Sequence, residues 1–153
     1  MTTRQEKVQA EVDNAWRELQ DTLAQVPPER LAEVGVEGPW SVKDLIGHIS
    51  TWEIEAMDGV GRYLPGQDLG EPAWPEDINW FNARSVEGKR STPLAEVLDN
   101  FEKSHAGLVR FVKGIGEDAL GVSEVETRIR VDTFEHYVEH AATIRQWLDR
   151  GAR

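Results

Sequence analysis

The chain has 153 residues, with 17 Lys+Arg against 28 Asp+Glu, a formal net charge of −11, and no cysteine. That length suits one domain, residues 1–153, with a core that needs no covalent staples. Zero cysteine excludes disulfides, thiolate metal sites, iron–sulfur clusters and a cysteine nucleophile, and the acidic balance predicts no nucleic-acid partner.

The first predicted helix is amphipathic: Val8, Val12, Trp16, Leu19, Leu23 and Val26 recur at spacings of 4, 4, 3, 4 and 3. Pro27-Pro28 ends it. Helix two opens at Ser41, where Ser41-Val42-Lys43-Asp44 has the form of a capping box. Its stripe is Val42, Leu45, Ile49, Trp52, Ala56 and Val60, reaching about Tyr63. From 64 to about 92 the chain is irregular, with Pro65, Gly66, Gly70, Pro72 and Pro75, then a short helix near Glu76–Glu87 carrying Trp80 and Phe81. This segment reads as a lid or a partner contact. Helix three starts at Thr92-Pro93, with Thr92 as N-cap, and Gly114 ends it. A polar connector over roughly 115–126 leads to the last helix, about Thr127 to Arg150, closed by Gly151. Four long helices and no strand predict an all-α four-helix bundle, with a long helix 2–helix 3 connection that carries a short extra helix. No apolar run approaches the roughly 20 residues needed to cross a bilayer. The first residues lack the apolar stretch of a signal peptide, so a cytoplasmic protein without a membrane partner is expected.

Chemistry concentrates on histidine. His136 and His140, at i and i+4, share one side of a helix and can grip one metal ion. His48 borders the stripe of helix two, so a bundle can bring all three together and leave a fourth position open, as a catalytic site requires. The competing reading is three separate half-buried histidines, each bonded to a neighbour. His105 is either a further ligand, a proton shuttle or a core histidine. Asp44 either orients His48 or only caps its helix. Glu53 is a candidate general base or a surface carboxylate. The hydroxyls of Tyr137 and Thr133 share the face of the histidines. Tyr137 is the other candidate catalytic group, or packs with its tip in water. Trp52, Trp80 and Trp147 are candidate pocket walls. Arg84 and Arg145 are candidate partners for a substrate carboxylate.

The run Trp40-Ser41-Val42-Lys43-Asp44-Leu45-Ile46-Gly47-His48-Ile49, followed by Trp52-Glu53, resembles the helix-two signature of the DinB-like superfamily (DinB/YfiT-like metalloenzymes). His136-Tyr137-Val138-Glu139-His140 resembles its C-terminal half. Trp52-Glu53, Phe81-Asn82-Ala83-Arg84 and Ser104-His105 resemble the ClbS/DfsB-type branch most. The resemblance covers nearly the whole chain. It implies a DinB-like bundle of unusual connectivity, a homodimer, and a divalent metal, zinc or nickel, on His48, His136 and His140. It also implies a metal-dependent enzyme acting on a small electrophilic molecule, either a hydrolase or a thiol transferase of the detoxification or stress type. Relatives include transferases and isomerases that use mycothiol, bacillithiol or glutathione, and a protein that hydrolyses a cyclopropane-bearing genotoxin. The toxin-hydrolysing relatives do not depend on this triad in an obvious way. With no cysteine here, any thiol must arrive as an external low-molecular-weight cofactor. The alternative is a non-catalytic protein that binds or sequesters a small molecule, or a dimeric stress protein with the same pocket.

Overall fold

A computed structural model of the chain describes residues 1–65 and 74–151. In chain order the helices are α1 (Arg4–Leu23), α2 (Val42–Gly61), α3 (Ile78–Lys89), α4 (Leu94–Lys113), α5 (Glu117–Leu120), α6 (Ser123–Ile129) and α7 (Glu135–Gly151). A 3₁₀ turn at Pro28–Arg30 follows α1, and a π-helical turn at Arg130–Phe134 joins α6 to α7. No strand occurs among the described residues. Part of the segment read as a lid, residues 66–73, lies outside them.

Local chemistry accounts for the starts. Thr3 and Glu6 form a capping box on α1. Ser41 and Asp44 do the same on α2, so Asp44 caps its own helix. Asp77 caps α3 by accepting from the Trp80 N–H at 3.0 Å. Thr92 does not cap α4. Pro93 occupies the N-cap with extended backbone, and the Thr92 N–H instead closes the end of α3 on the Lys89 carbonyl.

Four long helices make a ring. α2 packs on α4, α4 on α1, α1 on α7, and α7 with its π-helical entry on α2. The consecutive helices α1 and α2 therefore sit at opposite corners, which is not simple up-down-up-down order. The main core joins Val12 and Leu19 of α1, Leu45 and Ile49 of α2, Phe101 and Leu108 of α4 and Ile144 of α7. Each such aliphatic side chain contributes roughly 1.5–3 kcal/mol by leaving water. The polar connector expected after helix three is instead two short helices. Ile115, Leu120, Val125 and Ile129 bury there with Val60 as a second apolar cluster. Runs of four and seven residues are too short to show helical period in sequence.

Arg128 locks this second cluster to α2. It is 4% exposed. Its Nε donates to Asp132 Oδ2 at 2.8 Å and its Nη2 to the Glu55 carbonyl at 3.0 Å, while the guanidinium lies 4.0 Å from the Trp74 ring centre. Gly59 makes the room, because a Cβ there would come within 2.6 Å of Arg128 Nη1.

Gly59→Ala is expected to destabilise by about 1–3 kcal/mol through this overpacking. Gly107→Ala on α4, whose added Cβ would meet nothing closer than 3.9 Å, is expected to stabilise by about 0.5–1 kcal/mol. Urea unfolding midpoints check both, and equal midpoints for the Gly59 variant and the wild type would refute the packing account.

Candidate metal centre

His48 lies on α2, four residues past Asp44, and His136 and His140 lie one turn apart at the start of α7. Contact between α2 and α7 brings the three rings together edge to face, with interplanar angles of 69°, 88° and 74°. His136 Nε2 is 3.0 Å from His48 Nε2 and 2.8 Å from His140 Nε2. His48 and His140 are 4% exposed. The three form a group whose ligand atoms lie within 4.8 Å of one another.

The protons do not balance for a simple hydrogen-bonded cluster. A ring nitrogen of a neutral imidazole holds either one proton or one lone pair. His136 Nε2 therefore cannot donate to one neighbour and accept from the other. The three Nδ1 atoms are also buried without a hydrogen-bond partner. That of His140 lies 3.4 Å from Glu37 Oε2, in reach of charge attraction but outside hydrogen-bonding geometry. Burial, and then the charge of neighbouring His140, depress His48 to about 3. The same causes in the same order hold His136 well below its ordinary value. Neutral imidazoles with converging nitrogens are what a divalent ion needs. Three nitrogens around one tetrahedral ion stand about 3.3 Å apart, so the two short contacts need widening by only roughly half an ångström.

The triad forms the inner end of a cavity of about 590 Å³. Its walls are Trp40, Trp52 and Trp74, with Asn79 and Asn82 of α3, Ile78, and Asp132 of the π-helical turn. Trp40 arrives on a tight turn in which Gly38 takes the left-handed conformation, with φ +56, and buried Val36 anchors the loop. That turn also brings in Glu37, whose carboxyl is held below its ordinary value first by its contact with His140. Trp52 is fixed by donating from Nε1 to Asn82 Oδ1 at 2.7 Å. Asp132 is 3% exposed, and burial raises its carboxyl to about 6 despite Arg128.

Several expected site residues lie elsewhere. Glu53 is no surface carboxylate. It is 0% exposed and accepts from Ser104 Oγ at 2.7 Å and Tyr137 OH at 2.6 Å, with His105 Nδ1 at 2.9 Å. Neither Glu53 nor Tyr137 lines the cavity. His105 is a core histidine, stacked on Trp16 at 3.5 Å. Thr133 returns its hydroxyl to the Ile129 carbonyl. Trp80 is 61% exposed, and Trp147 sits in the core under Arg30, so neither walls the pocket. Arg84 lies over Trp80, and Arg145 pairs with Glu18. Trp40, Trp74 and Asp132 carry no sequence period that marks them, because a loop, the segment before α3 and a π-helical turn deliver them. The place of Trp40 directly before the Ser41 cap was the one available signal.

The sequence model of one family, the DinB superfamily, matches residues 11–148. Among curated proteins none matches. Three solved structures share the fold. An uncharacterised protein from Escherichia coli UTI89 is 15% identical with a TM-score of 0.81, over 99% of this chain and 96% of that one. The colibactin self-resistance protein ClbS, in complex with a double-stranded DNA, is 14% identical with a TM-score of 0.80, over 95% of each chain. The sibling lethal factor precursor DfsB is 14% identical with a TM-score of 0.80, over 99% of this chain and 98% of that one. The ClbS complex overturns the expectation, drawn from net charge, that nucleic acid has no part here. Net charge is a sum over the chain, whereas phosphates are met by local surface, so acidity does not exclude a DNA partner. Among the described residues no helix is long and apolar enough to cross a membrane.

Two outcomes test this electrostatic and hydrogen-bonded frame. Glu53→Ala strands the buried Tyr137 hydroxyl, His105 and Ser104, and is expected to lower unfolding free energy by about 3–5 kcal/mol in denaturant titration. In metal-free protein, His48 resists protonation down to about 3, while the unfolded chain takes up the proton near 6.5. Its stabilisation is therefore present above 6.5 and lost as pH falls toward 3, on the order of 2 kcal/mol by pH 4.5. Asp132 acts oppositely: its carboxyl is raised, so its contribution is present below 3.8 and lost as pH rises through about 6. Melting temperatures from pH 7 to 4.5 are expected to fall less in His48→Gln, and more in Asp132→Asn, than in the wild type.

Proposed function

This chain belongs to the DinB superfamily, and on that premise we propose that it is a divalent-metal-dependent enzyme acting on a small electrophilic molecule. The observation that carries the reading is the meeting of three Nε2 atoms, with their Nδ1 atoms unpartnered, at the inner end of an apolar-walled cavity. His48, His136 and His140 would hold the ion; imidazole donors suit zinc, nickel, copper and iron alike, and the family resemblance favours zinc or nickel. When bound, it supplies Lewis acidity toward a substrate or water.

The protein's own residues do the rest. Trp40, Trp52 and Trp74 exclude bulk water and bind apolar surface. Asn79 and Asn82 offer amide groups to orient a polar substituent. Glu37 stands 3.4 Å from His140 Nδ1, where its negative charge favours a ring with Nδ1 outward and Nε2 inward. Glu139 stands on the exposed rim as a solvent-linked proton acceptor. Hydrolysis of a strained or activated carbon centre needs nothing further from the chain, whereas thiol transfer needs a thiol from outside because cysteine is absent. The self-resistance role of ClbS accords with detoxification of a small reactive molecule.

The test is elemental analysis of untagged protein, together with turnover of a strained-ring electrophile, for wild type and His136→Ala. About one equivalent of zinc or nickel is expected in the wild type and is lost in the variant, with turnover reduced at least ~100-fold while the helical spectrum persists. Wild-type protein that takes up no metal after soaking and buffer exchange overturns the reading. Bound metal without turnover of any electrophile would move the assignment to sequestration.

A further inference from the structure

The carboxylates that line the cavity give it charge of one sign only. Glu37, Asp132 and Glu139 contribute carboxylates, and no Lys or Arg is among the lining residues described. Arg128 touches two lining residues, but its guanidinium is taken up by Asp132, by the Glu55 carbonyl and by one face of Trp74. Of the three carboxylates, Asp132 is matched by Arg128, so Glu37 and Glu139 remain uncompensated. Glu37 is half-buried and Glu139 exposed, which places both toward the mouth, while the histidines and Asp132 are at the buried end.

The aromatic walls agree with that polarity. The Trp52 and Trp74 ring centres are 6.0 Å apart at 40°, and Trp40 stands 5.1 Å from His48 on its own side. Tryptophan faces attract cations and flat rings and give nothing to an anion. Asn79 and Asn82 complete the α3 side with uncharged amides, and Asn82 is already engaged through its oxygen by Trp52. A carboxylate or phosphate entering here would lose its hydration and meet no Lys or Arg among the described lining residues, and the nearby Lys89 ammonium is already engaged by the Gly47 carbonyl and the Thr51 hydroxyl.

Resting on the reading of this cavity as the substrate site, we propose that its ligand is a flat molecule bearing a protonated amine or amidine-type nitrogen. The cationic nitrogen lies at the mouth, between the tryptophan faces and the Glu37 and Glu139 carboxylates. The reactive end points to the histidines. Thiols that carry carboxylates, such as glutathione, are poor occupants by the same argument, which favours water over a thiol as the second reactant.

The experiment is calorimetric titration with three probes that share an indole ring: tryptamine, the neutral alcohol tryptophol, and indole-3-acetate. It is run at fixed salt on metal-free and on zinc-soaked protein. In metal-free wild type, tryptamine is expected to bind at least ~10-fold tighter than indole-3-acetate, with tryptophol between them. Glu139→Gln, which leaves the Glu37–His140 contact in place, is expected to weaken tryptamine about 3-fold or more and to leave tryptophol within 2-fold. Adding Glu37→Gln removes most of the preference. Equal affinities, a preference for the anion, a preference that survives the double variant, or no binding by any probe each overturn the proposal. The metal assignment fails separately: zinc-soaked protein with no retained zinc but the same order of probes sinks the metalloenzyme reading and leaves this ligand class standing.

Discussion

Three imidazoles packed with their ring nitrogens facing one another are the constraint around which the molecule is arranged. Such a cluster is unfavourable by itself, since lone pairs converge and Nδ1 groups are left without partners. It persists only if the surrounding helices hold the rings in place. α2 supplies His48 from the middle of a fully packed stripe, in which Leu45 and Ile49 are both 0% exposed. α7 supplies His136 and His140 from a helix whose next residues, Ala141 and Ile144, are equally buried. The ring order of the bundle, with α1 and α2 at opposite corners, is what puts α2 beside α7.

The entry to α7 is the other side of the same arrangement. A π-helical turn at Arg130–Phe134 widens the helix one turn before the histidines. Such turns are rare and gather at functional sites. Here the turn places Asp132 at the cavity wall, where Arg128 holds it and, through Trp74, ties the segment before α3 to the same point. One buried guanidinium thereby joins α2, α6 and the outer wall of the pocket. Gly59 is the position on α2 that allows it.

A second polar cluster stands apart from the first. Glu53 gathers Tyr137, His105 and Ser104 inside the bundle, and Trp16 covers His105. Tyr137 and His136 are adjacent in sequence yet serve different clusters, because successive helical residues point about 100° apart. A buried carboxylate that accepts from several donors specifies how α2, α4 and α7 meet more than it adds stability. Its separation from the cavity divides the polar residues of the bundle into one group inside the helix packing and one that faces the cavity.

The helical stripes, the capping boxes at Thr3 and Ser41, and the i, i+4 pair His136 and His140 were legible in the sequence, because each depends on residues within one or two turns of the chain. The family resemblance rested on the same short runs. What sequence spacing could not reveal was anything that depends on a remote partner. Glu53 reads as a surface residue until α4 and α7 close over it. Trp80 and Trp40 look equivalent as letters, but only Trp40 is turned into the cavity, by a loop that pairs with itself through Glu37. The connector before α6 reads as polar because its apolar residues are spread over two very short helices. Local periodicity reports which face of a helix is apolar. It does not report which other helix covers that face, so the sequence determined the helices and the spacing of the His136 and His140 pair, and packing between distant segments decided the cavity's walls, its charge and which polar residues line it.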